Sequence, residues 1–166
     1  MLSTIVMNLR DHNEKEVALP CSFENVRTLF EEQFGFCNAR SEEDFECLGL
    51  HNDVYPNDGC CCSLGMVNDM ALSLQHCESE FTERELKAFF ERYSYADLEL
   101  LVEGAVSLYS SKEEYLYVVY ERYGLTDIKF LWTTVDVFLD DDYVFSRIES
   151  SGNLFQARNG CIIEVN

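Results

Sequence analysis

Charge constrains this chain more than any other feature of its sequence. Its 166 residues include 31 Asp and Glu but only 12 Lys and Arg, which gives a formal net charge of −19. Self-repulsion on this scale destabilises a compact state, so some compensation or use for it is expected. A net charge of about 2–8 in magnitude is the usual guideline for keeping a small domain in solution. The excess therefore favours a functional role for the acids over solubility alone.

The acids are spread along the sequence rather than gathered in a tail. They recur from Glu14 to Glu149, so we expect negative charge over most of a folded surface. The chain is expected to be ordered, because 47% of its residues are hydrophobic and 13% are aromatic, unlike disordered segments. An acidic folded surface attracts basic grooves and repels nucleic acid and anionic membranes. We therefore expect neither nucleic acid nor a membrane as a partner.

Nothing in the sequence indicates export or membrane insertion. No apolar run approaches the ~20 residues of a membrane span. Residues 1–9 lack the basic start and the long apolar core of a signal peptide. The eight cysteines are therefore expected to be reduced, as is the default in the cytoplasm, and we expect a cytoplasmic protein.

A zinc site is an alternative use of the cysteines. Its ligands would come from Cys47, His51, residues 60–62, His76 and Cys77. The chain has neither the Cys-x-x-Cys nor the His-x-x-x-His spacing that is typical of zinc sites. We therefore interpret the cysteines as small core residues and expect no metal ion and no cofactor.

The first part of the chain predicts a small sheet that carries one helix. Residues 3–9 and 15–19 read as two strands of a hairpin, and residues 45–51 alternate like a further strand. Residues 23–33 place their apolar side chains on one helical face, between a capping serine and a stop glycine. The turn-forming residues 56–59 predict the end of this module.

The middle of the chain predicts three or four short helices. Ser63 is a candidate cap for the first of them, which is expected to bury Met66, Val67, Met70 and Leu74. Capping boxes, in which a Ser or Thr is followed three residues later by an acid, open the others. These boxes lie at 82–85, 94–97 and 111–114. Several acids in these first turns are explained by capping and by the helix dipole alone.

The end of the chain predicts a closing hairpin. Residues 154–158 and 161–165 are its strands, and Asn159–Gly160 is the dipeptide typical of a type I′ turn. Residues 126–149 fit either a helix or strands. The fold class is therefore expected to be α+β, an elongated chain of three small modules. These are an N-terminal sheet-plus-helix module at 1–58, a helical middle module at 59–104 and a C-terminal α+β module at 105–166.

Catalytic motifs are missing, so we expect a protein that is not an enzyme. There is no nucleophile elbow, no phosphate-binding loop and no dinucleotide fingerprint. The run Asp140-Asp141-Asp142 could hold a divalent cation, but it lacks the spacing of a calcium loop and a nearby Lys. We interpret the run as a solvated acidic turn. A nuclease with this surface would also repel its substrate.

Five segments, taken in order, resemble the ArdA antirestriction proteins, which are DNA mimics from mobile genetic elements. The resemblance lies in the opening strand and turn at 5–14, the His-Asn-Asp segment at 50–56, the aromatic helix at 117–120, the acidic stretch at 138–147 and the closing hairpin at 151–165. The chain departs from the family in lacking a Gly-Trp element after the first turn. Its first hairpin is also shorter, and its cysteine cluster is not a family feature.

The resemblance implies an elongated, curved protomer that forms a homodimer through its third module. It also implies inhibition of Type I restriction-modification enzymes, because the acidic surface would fill their DNA-binding groove. Carboxylates would there replace phosphates as partners of Arg. The contact residues are expected to be the acids that capping explains least. These are Glu31, Glu32, Glu42, Glu43, Asp44, Glu46, Asp53, Asp58, Asp69, Glu78, Glu99, Glu103, Asp140, Asp141 and Asp142.

Three other functions fit the sequence. The mimic could target a CRISPR effector or another DNA-binding protein. An acidic immunity protein could instead block a basic toxin through one patch around Trp132 or Tyr143. An acidic adaptor without a groove partner is the third alternative. Any single acid in the predicted set is better explained as a solvated surface residue than as a binding hot spot, so mimicry is expected to be a collective property of the set.

Overall fold

The computed structural model of the chain describes residues 1–124 and 141–166. These residues form helices and two small antiparallel sheets, which confirms the α+β class. They belong to two compact units, the first of residues 1–79 with 93–99 and the second of residues 80–92 with 100–166. The helices predicted within 59–104 are shared between these units, and the division into three modules stays a prediction.

The first unit contains a four-stranded sheet in the order β2-β1-β3-β4, with antiparallel neighbours throughout. Its strands are β1 (Leu2–Asn8), β2 (Glu14–Ala18), β3 (Phe45–Asn52) and β4 (Asp58–Cys62). The first three strands confirm the predicted hairpin and third strand. β4 was missed, because the residues Asp-Gly-Cys-Cys-Cys have little strand propensity and no alternation of their own. Pairing with β3 makes them a strand.

One face of this sheet is buried beneath helix α1 (Phe23–Phe34). The buried residues of β1 alternate with half-buried ones, so the strand has two distinct faces. The Phe45 ring of β3 lies 5.8 Å from the Phe23 ring and 5.3 Å from the Phe30 ring, between centroids. The predicted limits of α1 are confirmed, since Ser22 caps its start and Gly35 ends it with a φ of 81°.

Helix α2 (Leu64–Glu80) follows β4 along the chain, and all of it except Glu80 belongs to the first unit. Ser63 caps it by accepting a hydrogen bond from the Met66 N–H. The predicted apolar face was wrong at Met66, whose side chain is 52% exposed. The buried stripe instead has the spacing i, i+3, i+7 and i+10 that keeps residues on one side of a helix. Its members are Leu64, Val67, Ala71, Leu74 and, beyond them, Cys77.

The second unit contains a three-stranded antiparallel sheet in the order β5-β7-β6. Its strands are β5 (Val106–Tyr109), β6 (Leu154–Gln156) and β7 (Ile162–Val165). The other helices within the described residues are α3 (Glu83–Phe89), α4 (Glu99–Val102), α5 (Lys112–Arg122) and α6 (Asp141–Glu149). Two short 3-10 helices, Glu42–Asp44 and Tyr95–Asp97, belong to the first unit. β5 was missed by the sequence analysis, which expected only helices before Gly124.

Aromatic side chains form the main core of the second unit. The Tyr115 ring packs edge-on against Tyr109 and Phe145, at centroid distances of 5.1 and 6.1 Å. Leu116, Val119, Tyr120, Leu154 and Ile162 complete the cluster. The core therefore joins α5, α6 and all three strands. Of the segment predicted as helix or strand, residues 141–149 are helical and the others lie outside the described residues.

The closing hairpin is confirmed, but its predicted type I′ turn was wrong. That turn needs positive φ at both central residues. Here Gly160 has a φ of 85°, whereas Asn159 is not among the residues with positive φ. The Ala157 N–H donates to the Cys161 carbonyl and the Gly160 N–H to the Ala157 carbonyl. The hairpin therefore has a three-residue loop that ends in a left-handed glycine.

The capping signals are confirmed at two of the three predicted boxes. The reciprocal hydrogen bonds form between Thr82 and Glu85, and between Ser94 and Asp97. Ser111 also caps its helix, by accepting from the Glu114 N–H. The Glu114 carboxylate, however, accepts from the Ser110 N–H rather than from that of Ser111. The third box is therefore displaced by one residue.

Candidate functional site

The acidic excess is divided unequally between the two units. The first unit contains 16 Asp and Glu and four Lys and Arg, a formal net charge of −12. The second contains 15 Asp and Glu and eight Lys and Arg, a formal net charge of −7. Both units therefore attract cations, and the first does so more strongly.

A long cation-free segment explains much of this difference. Residues 41–83 include ten Asp and Glu and no Lys or Arg. This segment supplies the Glu42–Asp44 helix, β3, β4 and α2. Most of the carboxylates on these elements consequently have no basic neighbour in the sequence with which to form a local ion pair.

Most of the predicted contact acids are exposed. The exposed ones are Glu31, Glu32, Glu42, Glu43, Asp53, Asp69, Glu78, Glu99, Glu103 and Asp142. Asp44, Glu46, Asp58 and Asp141 are half-buried, and Asp140 lies outside the described residues. Helices carry several of them on solvated faces, since their apolar stripes take the opposite side. The structure thus places these carboxylates where a partner can reach them.

Some of the predicted acids already have partners within the fold. The Asp44 carboxylate accepts a hydrogen bond from the Arg10 guanidinium at 2.9 Å and from the Arg40 N–H at 2.7 Å. The Arg10 hydrogen bond is the main reason that the pKa of Asp44 is lowered. Asp44 therefore holds the turn before β3 in place, and this local role competes with contact to a partner.

Two acids at the start of α6 and one in α1 are likewise engaged. The Tyr120 hydroxyl donates to Asp141 at 2.6 Å, Lys112 pairs with Asp142, and Arg27 pairs with Glu31 at 3.2 Å. The pKa of Tyr120 is raised, mainly by burial and secondly by its hydrogen bond to Asp141. Exposed pairs such as that of Glu31 contribute little to stability, so a partner could displace Arg27 at small cost.

Most of the other predicted acids are unpaired, although Asp53 lies 3.8 Å from the N-terminal ammonium and Asp58 also interacts within the fold. Within residues 1–124 and 141–166, eight of them make no side-chain hydrogen bond or ion pair. They are Glu32, Glu42, Glu43, Glu46, Asp69, Glu78, Glu99 and Glu103. We call these eight residues the free acids. Seven of them belong to the first unit, and Glu103 belongs to the second.

Sequence reasoning missed two acids on the sheet. Glu14 and Glu16 are exposed on β2, where they alternate with half-buried Lys15 and buried Val17. The Lys15 ammonium donates to the Leu29 carbonyl of α1 at 3.2 Å, so it lies on the helix-covered face. The two glutamates point from the opposite face. Because successive side chains of a strand point to opposite faces, the sequence Glu-Lys-Glu-Val-Ala predicts that Glu14 and Glu16 share the face opposite to Lys15 and Val17.

The cysteines confirm the core interpretation where they are buried. Cys47, Cys77 and Cys161 are buried and free. Burial raises the pKa of Cys47 to about 12 and that of Cys77 to about 11, so both thiols remain protonated at neutral pH. Cys61, in contrast, is exposed. Among the described side chains, no group of three or more His, Cys, Asp or Glu is arranged to hold a metal ion.

No protein-family model matches this chain, and no curated protein matches it at significant similarity. The likeness to ArdA proteins accordingly rests on the five segments of the sequence. No helix within the described ranges is both long and apolar enough to traverse a bilayer.

Proposed function

We propose that this protein is a DNA-mimic inhibitor of Type I restriction-modification enzymes, which occupies their basic DNA-binding groove with an extended acidic surface. The observation that carries the proposal is the set of eight free acids, exposed or half-buried on helices, one strand and one turn. The excess of acids in both units supports a distributed contact. An immunity protein would instead concentrate its acids around one aromatic anchor.

The electrostatics of DNA binding provide the mechanism. Duplex DNA carries one negative charge per ~1.7 Å of its axis, and its partners gain affinity by neutralising that charge with Lys and Arg. Carboxylates held on folded elements can accept the same paired hydrogen bonds from Arg that phosphates accept. Complementary charge also accelerates association. The inhibitor therefore needs no particular base sequence, and we expect it to act on enzymes with different target sequences.

We further propose an oligomeric state and a cellular location for the protein. By its resemblance to ArdA proteins, the chain forms a homodimer through its C-terminal module. It acts in the cytoplasm, where free thiols such as that of Cys61 persist. A CRISPR effector or another DNA-binding protein offers a similar basic channel, and pull-down from cells that contain each system distinguishes these targets.

The test is the cleavage of an unmodified plasmid by a purified Type I enzyme at increasing concentrations of this protein. We expect inhibition at low salt, which weakens roughly tenfold or more between about 50 and 200 mM salt because the contact is ionic. Changing all eight free acids to their amides is expected to abolish inhibition at the same concentrations. A single change such as Glu32→Gln should have little effect.

Two outcomes contradict this proposal. One is normal cleavage at every concentration of the inhibitor, and the other is inhibition that is independent of salt. A control variant with the engaged acids Glu83 and Glu121 changed to Gln removes two exposed negative charges that already have partners within the fold. It should inhibit nearly as well as the unmodified protein.

A further inference from the structure

The uncovered face of the first sheet combines apolar and acidic side chains in an ordered pattern. In the pairing register, Ile5 lies between Glu16 and Leu48, and Met7 lies between Glu14 and Glu46. The side chains of Ile5, Met7 and Leu48 are half-buried, while Glu14 and Glu16 are exposed. This face therefore has an apolar centre on β1 and β3, flanked by three glutamates. We call these six residues the open face, and Ile5, Met7 and Leu48 its apolar stripe.

Within the described strands of this sheet, no Lys or Arg side chain lies on the open face. Lys15 is the one Lys or Arg in the four strands, and its ammonium donates to Leu29 on the other side of the sheet. The Glu16 carboxylate accepts a hydrogen bond from the Ser3 hydroxyl at 2.7 Å, which orients it and leaves its charge uncompensated. The negative charge at this face is thus available to a partner.

Two cavities open on this side of the sheet. One, of about 480 Å³, is lined by residues that include Ser3, Glu16 and Ala18. The other, of about 390 Å³, is lined by residues that include Ile5 and Leu48. They share His51 and Asn57 in their walls. The surface is therefore concave beside the apolar stripe, as a site for inserted side chains requires.

We propose that the open face is a docking surface for a basic protein segment, whose Lys or Arg side chains pair with Glu14, Glu16 and Glu46 while its apolar groups cover the apolar stripe. Arg and Lys suit this surface because their aliphatic stems lie along apolar groups and their charged ends reach carboxylates. The inference rests on the proposed function, and the segment would belong to the inhibited enzyme. It adds an apolar contact that charge mimicry alone does not need.

Charge selects this occupant over a second copy of the chain. Two open faces placed against each other would bring six glutamates together, and like charges that face each other across sheets or strands are destabilising. The first unit also carries a formal net charge of −12. A basic segment lowers this repulsion, whereas a second copy would increase it.

The test uses the full chain and two synthetic peptides, one of alternating Lys and Leu and one of alternating Lys and Ser. We expect the Lys–Leu peptide to bind about tenfold more tightly, because its leucines cover the apolar stripe. The double variant I5T/L48T removes this preference but keeps residues that favour strands. The control variant L72Q changes an equally apolar residue that is 53% exposed on α2 and should retain the preference. Titration calorimetry measures both affinities.

A second measurement locates the contact. Amide chemical shifts of the labelled protein should change around β1 and β3 when the Lys–Leu peptide is added. Equal affinity for the two peptides, or shifts confined to other elements, would overturn the proposal. So would sedimentation that shows a dimer of the unmodified chain which dissociates in the double variant, because the occupant would then be a second copy.

If the double variant I5T/L48T does not fold, the variant E14Q/E16Q/E46Q tests the open face instead. These changes leave the buried face untouched, and they should weaken both peptides while the preference for Lys–Leu remains. A retained affinity for both peptides would overturn the proposal.

Inhibition of a Type I enzyme separates this inference from the proposed function. If the peptide result holds but the enzyme is not inhibited, the docking surface stands and the proposed target is wrong. If inhibition is undiminished in a folded I5T/L48T variant, the proposed function stands and the open face is not its docking surface. The inference predicts about tenfold weaker inhibition with an unchanged dependence on salt, since the substitution removes no charge.

Discussion

Individual carboxylates in this protein have very different roles, although the sequence presents them alike. Glu85 is only 8% exposed, and its oxygens accept hydrogen bonds from the Thr82 N–H, the Thr82 hydroxyl and the Ser110 hydroxyl. Glu83, two residues earlier in the same helix, is exposed and pairs with Lys87. The first is part of the fold, and the second belongs to the solvated surface.

Replacing Glu85 by Gln is expected to lower the free energy of unfolding by roughly 1–2 kcal/mol at neutral pH, because hydrogen bonds to a charged group are lost. Burial acts to raise the pKa of Glu85, but the hydrogen bonds from Thr82 and Ser110 outweigh it and lower the pKa. The stabilisation is therefore present above the ordinary pKa of 4.5 and is lost as the pH falls further.

Urea unfolding at several pH values measures this effect, and the difference between the two proteins should shrink in acid. The control is E83Q, which removes an exposed ion pair and should cost only about 0.5 kcal/mol or less. A loss for E85Q that is no greater than that for E83Q would show that the buried hydrogen bonds contribute nothing.

At the scale of elements, two glycines with opposite backbone requirements mark a loop and a helix. Gly160 ends the loop of the closing hairpin with a φ of 85°, and a Cβ there would lie 3.4 Å from the Arg84 side chain. Gly65 lies in the first turn of α2 with no positive φ, and a Cβ there would have no neighbour within 4 Å. The same substitution is thus expected to act in opposite directions.

Gly160→Ala should destabilise the protein by about 1–2 kcal/mol, since a side chain is strained in the left-handed region. Gly65→Ala should stabilise it by about 0.4–1 kcal/mol, because alanine restricts the unfolded chain and favours the helix. Chemical denaturation of the two variants in parallel measures both changes. If both variants shifted the midpoint in the same direction, the role assigned to the left-handed glycine would be wrong.

At the scale of the whole molecule, unpaired negative charge opposes folding while it favours a basic partner. Three of the six described ion pairs are exposed on both partners, and such pairs contribute little to stability. Both units keep a net negative charge. Stability and the proposed function therefore make opposite demands on the same acids, because added salt reduces the self-repulsion and also weakens the proposed contact with a basic partner.

Adding NaCl to a low-salt solution should raise the melting temperature by several degrees, at roughly 2–4 °C for each kcal/mol of relieved repulsion. The variant with all eight free acids changed to amides should be more stable at low salt and should gain less from NaCl. Differential scanning calorimetry measures both. A melting temperature that is independent of salt in the unmodified protein would show that self-repulsion is not significant.

Local patterns were sufficient to predict much of the fold. Side-chain period and capping residues gave α1, α2 and the two hairpins, because these signals lie within a few residues of one another. They could not predict β4 or β5, whose strand character depends on pairing with β3 and β7. The turn type was also wrong, because Asn-Gly suits more than one loop and the strand register selects among them.

The sequence by itself determined that this chain is acidic, ordered and α+β, since composition and short-range periodicity do not depend on how distant segments meet. Only the tertiary structure decided which carboxylates remain free. Asp44 is neutralised by Arg10, 34 positions away, while Glu46 lies on the open face beside Met7. Ion pairs and sheet faces depend on distances in space between residues that are far apart in the chain.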